Sequence, residues 1–119
     1  MDPAIDFTKC PFVYWSNVVK LSYLQRRIIV YSIMYYECDE SCVSDNYYDR
    51  MSQQLVGLMK QCTQSELEAS TYYYAMYDFD GSTGFDVPGR LTPKDKAHLT
   101  ALAMHIHKLW EQEGKPITL

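Results

Sequence analysis

The 119-residue chain has no basic run, no CxxC pair and no apolar stretch near the ~20 residues needed to span a bilayer. Each absence removes a class of function. Lysine and arginine together number 11 against 15 acidic residues, a formal net charge of −4, so the electrostatic footprint of a duplex-binding protein is missing. No duplex nucleic-acid partner is expected. The cysteines, Cys10, Cys38, Cys42 and Cys62, lack zinc-finger spacing with histidine. Cys38 and Cys42 read as small apolar fillers rather than half of a metal site. The opening MDPAIDF carries acids and a proline where a secretory leader would carry basic and then apolar residues. A cytoplasmic protein with reduced thiols and no membrane association is the expectation. No segment alternates convincingly at period two, and no repeat or low-complexity linker divides the chain. Its length suits one domain with a real core, and is too short for a catalytic domain plus a recognition domain.

What the chain does have is tyrosine: 11 of them, more than a helical core usually requires. A tyrosine offers a flat face for stacking and a hydroxyl that fixes orientation. Helical signals fill most of the remainder. The irregular start through KCPFVYW reads as an arm packed on the body. Ser22 to Gln25, SYLQ, has capping-box form and predicts a helix over about 23–37. Leu24, Ile28, Tyr31 and Tyr35 share its buried face, with Arg26 and Arg27 directed away. Ser44 is placed to cap a second helix over about 45–62, with a buried stripe of Tyr48, Met51, Leu55 and Leu58. Thr63 to Glu66, another capping box, opens a third over about 64–76. Thr92, Pro93 and Asp95 open a fourth over about 93–112, with Gly114 available to end it. Between the last two lies one long glycine-rich loop, 77–91. The fold class expected is all-α, a single domain of about four helices.

One stretch stands out, YYECDESCVSDNYYDR, Tyr35 to Arg50. Asp45, Tyr48, Asp49 and Ser52 fall at i, i+3, i+4 and i+7, one face of a helix. A short connection folds Tyr35 and Tyr36 back toward that helix start. Rings that sandwich a flat base and carboxylates that accept from amide or ribose hydroxyl donors would then converge. Packing and capping account for the same residues: Asp45 sits where the macrodipole favours an anion, and Tyr48 lies on the packing stripe.

The run extended through MSQQLVGL resembles the N-terminal helical segment, often called domain Ia, of bacterial NAD-dependent DNA ligases. Tyr35, Tyr36, Asp39, Ser44, Asp45, Tyr48 and Asp49 fall in register with that family's pattern, and the likeness is strongest over 22–60. In the ligases the segment grips the nicotinamide mononucleotide half of NAD. The resemblance therefore implies Tyr35, Tyr36, Asp45, Tyr48 and Asp49 as ligand-binding residues. Tyr36 stands where the family can carry histidine, which keeps stacking and alters hydrogen bonding. The lysine-containing motif on which the ligases form their adenylate is missing, because Asp80-Gly81 follows Asp78-Phe79. Ligation by this polypeptide alone is not expected, and no catalytic residue is assigned. The chain resembles short stand-alone ligase-related proteins of phages and mobile elements. That likeness implies a non-catalytic binder of a nicotinamide or cyclic ADP-ribose-type nucleotide, sequestering an NAD-derived defence signal in the host cytoplasm. A protein-interaction module with a tyrosine-rich interface is the alternative, and a small hydrolase of NAD-like nucleotides a third.

The remaining candidates are weaker. Asp78, Asp80 and Ser82 alternate as in a calcium loop, but Thr83 and Gly89 occupy the places that need glycine and glutamate. Arg90 and Lys94 flank the glycine-rich loop and are candidate phosphate contacts. His98, His105 and His107 have no partner at i+4 that would form a metal pair, so neither metal nor cofactor is expected. Loop 77–91 is too rich in glycine to hold itself, so a ligand beneath it or a second subunit of a homo-oligomer is expected to order it.

Overall fold

Ser16, not Ser22, sets where the first helix begins. Its side chain accepts from the Val19 amide at 3.3 Å, and α1 runs over Asn17–Tyr36, starting well upstream of the expected residue 23. The chain is represented by a computed structural model describing residues 5–37, 44–82 and 84–113, with side chains through Leu109. The connection holding Cys38, Asp39 and Cys42, the loop residue Thr83 and the Gly114 cap all lie outside these. Among the described residues the protein is all-α, with four further helices: α2 (Asp45–Gln61), α3 (Gln64–Ala69), α4 (Tyr73–Met76) and α5 (Pro93–Glu113). Short 3-10 turns occupy Phe12–Tyr14 and Pro88–Arg90.

Local capping explains the starts that the sequence signals. Ser44 accepts from the Tyr47 amide at 3.1 Å to open α2. Thr63 and Glu66 form the reciprocal capping box of α3. Thr92 accepts from the Asp95 amide at 3.2 Å ahead of α5. Such bonds close within a few residues, so no distant partner is needed to form them.

α1 is the central element and packs against both α2 and α5. Leu21, Leu24, Ile28, Ile29, Ile33 and Met34 are buried all around it, joined by Met51 and Leu55 of α2 and by Leu99 and Ile106 of α5. A helix with neighbours on several sides needs apolar residues on more than one stripe, which explains why its polar positions are unusual. Ser22 and Gln25 are not a capping pair. Both lie inside α1 and tie down the break between α3 and α4. Gln25 donates to Ser70 Oγ at 2.9 Å and accepts from the Tyr72 amide at 3.0 Å, while Ser22 accepts from the Thr71 amide at 3.0 Å. The single helix expected over 64–76 is therefore two short ones, because side chains of α1 satisfy the backbone groups released at the break.

Arg27 corrects a second expectation. It does not turn to solvent: it is 1% exposed. Its guanidinium donates to Tyr23 Oη at 2.8 Å and to Tyr47 Oη at 2.7 Å, and lies near the hydroxyl and ring of Tyr31. Much of the tyrosine surplus is thus structural. The arm is packed on the body as expected, through Phe7, Phe12, Trp15 and Tyr23 in edge-to-face contact and through Ile5, whose amide and carbonyl both bond Gln54. No described helix is long and apolar enough to cross a membrane.

Candidate functional site

Two helix ends meet where the sequence places its rings and carboxylates. The last turn of α1 brings Tyr35 and Tyr36, and the first turns of α2 bring Asp45, Tyr48 and Asp49. All five line one cavity of about 230 Å³. Tyr31 supplies a buried wall one helical turn below Tyr35, and Ser82 reaches in from the long loop. Sequence reasoning assigned neither of these two to the site. Tyr31 carried a signal, being four residues before Tyr35 on the same face, but it was absorbed into the packing stripe. Ser82 carried only the general expectation of a ligand beneath loop 77–91, and the fold decides which loop residue reaches the cavity.

The rim is aromatic. Tyr35 and Tyr36 meet edge to face at 4.8 Å between centroids, and Tyr36 meets Phe85 in the same way at 5.3 Å. Tyr35 is 49% exposed and Phe85 63%. Asp45 and Asp49 are both exposed at the mouth, and neither joins an ion pair among the described residues. They remain available as acceptors.

Tyr48 is held from below. Ser32 Oγ donates its single hydrogen to the Ile28 carbonyl at 2.7 Å, so the Tyr48 hydroxyl is the donor in its 2.8 Å bond to Ser32. Burial pushes the Tyr48 phenol above its ordinary value, and the neighbouring Tyr36 and Asp49 add to the shift. The raised value means that the folded state favours the neutral phenol. Its contribution to stability is complete below pH ~10 and is lost as pH rises past that point. Tyr48→Phe is expected to show a shallower alkaline loss of stability than the parent chain, read by urea unfolding at successive pH values. Identical alkaline limbs would show that this phenol is not the group responsible.

The loop is seated on the same pair. Gly84 is buried against Ser32 and Tyr48, and a Cβ there would collide with Ser32 Oγ and Tyr48 Oη. Gly81 adopts a φ of 87° and sits over Gln53 of α2, a conformation in which side chains are strained. Asp80 accepts from the Ser82 amide and hydroxyl, turning Ser82 back toward the cavity. The contacts that hold this loop in the described chain are therefore internal. Gly84→Ala is expected to cost about 1–3 kcal/mol through overpacking and to lift Ser82 from the mouth. Gly89→Ala, where nothing lies within 4 Å, should change little. Thermal unfolding of the two variants checks this, and equal midpoints would refute the seating role of Gly84.

Arg90 and Lys94 are not part of this arrangement. Arg90 pairs with both carboxylate oxygens of Asp78 and stacks on Tyr77, so it closes the loop on itself; Asp78 is held below the usual carboxylate range by that bond. Lys94 is exposed on the first turn of α5. Neither lines the cavity. Among the described residues no three histidine, cysteine, aspartate or glutamate side chains are grouped to hold a metal ion. No family model matches the sequence, and no similar curated protein or solved structure was found.

Proposed function

We propose that this protein binds a nicotinamide- or ribose-containing nucleotide in the cavity between α1 and α2, and performs no chemistry on it. One observation carries the reading: Tyr35, Tyr36, Asp45, Tyr48 and Asp49, the residues implied by the ligase resemblance, share a single cavity with both carboxylates outside any described ion pair. Stacking rings beside oriented acceptors suit a flat base attached to a sugar. Of the cavity hydroxyls, that of Tyr48 is committed to Ser32 and that of Ser82 to the exposed Asp80, whose carboxylate also accepts from the Ser82 amide. In a phage-encoded protein of this kind, tight binding alone would sequester an NAD-derived signal in the host cytoplasm. Several other tyrosines are already engaged within the fold. Tyr74 bonds Asp95, Tyr73 accepts from Gln64 and Tyr77 stacks on Arg90, which weighs against a general tyrosine interface.

The test is mass spectrometry of small molecules released on denaturing the purified protein, with calorimetry against nicotinamide mononucleotide, NAD and cyclic ADP-ribose. Recovery of an intact nucleotide that rebinds is the expected result. A new product would move the reading to a hydrolase, and no uptake of any nucleotide would leave the interface reading in its place.

A further inference from the structure

A second cavity, of about 460 Å³, lies where the N-terminal arm and the α3–α4 break flank α1, and it shares no residue with the first. Trp15, Val18, Val19 and Tyr23 give it a largely apolar wall. Two polar groups stand among them without partners in the described chain. Arg26 rests against the Tyr23 ring at 5.7 Å but joins no ion pair or hydrogen bond there, and its Nε is buried without an acceptor. Tyr72 is only 7% exposed; its amide donates to Gln25, while its hydroxyl bonds no described group. The other polar side chains of the lining, Ser22 and Thr71, are bonded to each other.

We infer that this groove is a second ligand site, which takes a small aromatic carboxylic acid with its carboxylate on Arg26 and Tyr72. Nucleotide binding at the other cavity is not required for it. A buried donor without an acceptor costs free energy, and an anion reaching both groups removes that cost. Burial and then the Asp95 charge push the Tyr72 phenol above its ordinary value, and the Arg26 charge works against them, so the cation lies within electrostatic reach of the hydroxyl. Asp95 itself is bonded to Tyr74 and does not line the groove. A guanidinium beside a phenol offers the charge-assisted donors that a carboxylate accepts. One cation balances one negative charge, which favours a carboxylate over a phosphate carrying nearly two. The ring of the acid would pack on Trp15 and Tyr23. Size agrees with a small molecule. The volume falls within the ~300–1,000 Å³ usual for such sites, and the eight lining residues are well short of the ~20–30 a side of a stable protein interface.

Titration of the full chain, followed by nuclear magnetic resonance, tests this with indole-3-acetate, its uncharged counterpart indole-3-acetamide, and acetate. Indole-3-acetate is expected to shift the Trp15 and Tyr72 signals saturably, with a Kd on the order of 1 mM, ordinary for a molecule of that size. The amide should bind about 10-fold more weakly, and acetate, lacking the ring, should give no saturable shift. Arg26→Gln should bring acid and amide to equal affinity. Tyr72→Phe keeps the buried ring and should weaken the acid about 3- to 10-fold. Amide spectra of both variants that match the parent's away from the groove establish that the fold is kept. Equal affinity of acid and amide for the parent chain would overturn the assignment without recourse to any variant. So would an absence of saturable shifts at Trp15, or a preference for the acid that survives Arg26→Gln.

Discussion

Arg27→Ala is expected to lower the unfolding free energy by about 3–5 kcal/mol, the largest effect of any single substitution considered for this chain. Two losses combine. The side chain fills buried volume at 1% exposure, and its guanidinium donates to the hydroxyls of Tyr23 in α1 and Tyr47 in α2. Removing it leaves a void and polar groups without their donor, in a domain whose whole stability is on the order of 5–15 kcal/mol. Arg27→Lys should recover little, because one ammonium cannot reproduce a planar fork reaching two hydroxyls in different directions. Arg26→Ala is the comparison, since Arg26 is only partly buried. Urea unfolding followed by circular dichroism gives both values. If Arg27→Ala costs no more than Arg26→Ala, the buried arginine is not what joins α1 to α2. Tyr31 links this knot to the cavity as a wall of it, so the Arg27 variant should also bind ligand more weakly.

Asp49→Asn is expected to act in the opposite way, on binding and not on folding. The residue is exposed, and its stability effect should stay within about 0.5 kcal/mol. Asparagine keeps the size, removes the charge and turns half of the acceptor capacity into a donor. A charge-assisted hydrogen bond contributes roughly 1.5–3 kcal/mol, so affinity should fall about 10- to 100-fold. A carboxylate serving only the helix dipole would instead cost ~1 kcal/mol of stability at most and leave affinity alone. Calorimetry of the variant beside its unfolding curve separates the two roles. Unchanged binding of every nicotinamide and cyclic ribose nucleotide would remove the cavity from consideration, and the tyrosine-rich interface would become the working reading.

What the sequence determined by itself was whatever rests on short-range bonds. Ser44, Thr63 and Thr92 bond amides three residues ahead, so the starts of α2, α3 and α5 were legible, and the all-α class with them. Asp45, Tyr48 and Asp49 share a helix face by spacing alone, and one short connection was enough to bring Tyr35 and Tyr36 to them. Tertiary structure decided the rest, because the partners are far apart in the chain. Ser22 and Gln25 have the form of a capping pair, yet what they bond is the backbone at 71 and 72. Arg27 looks like solvent-facing charge until Tyr47 of the next helix comes to meet it. Ser82 joins the cavity only because Gly84, lacking a side chain, lets its loop settle onto Ser32 and Tyr48. A hydrogen bond within one turn is specified by neighbours along the chain, whereas a buried cation or a close backbone approach is specified by whichever element packs on top of it.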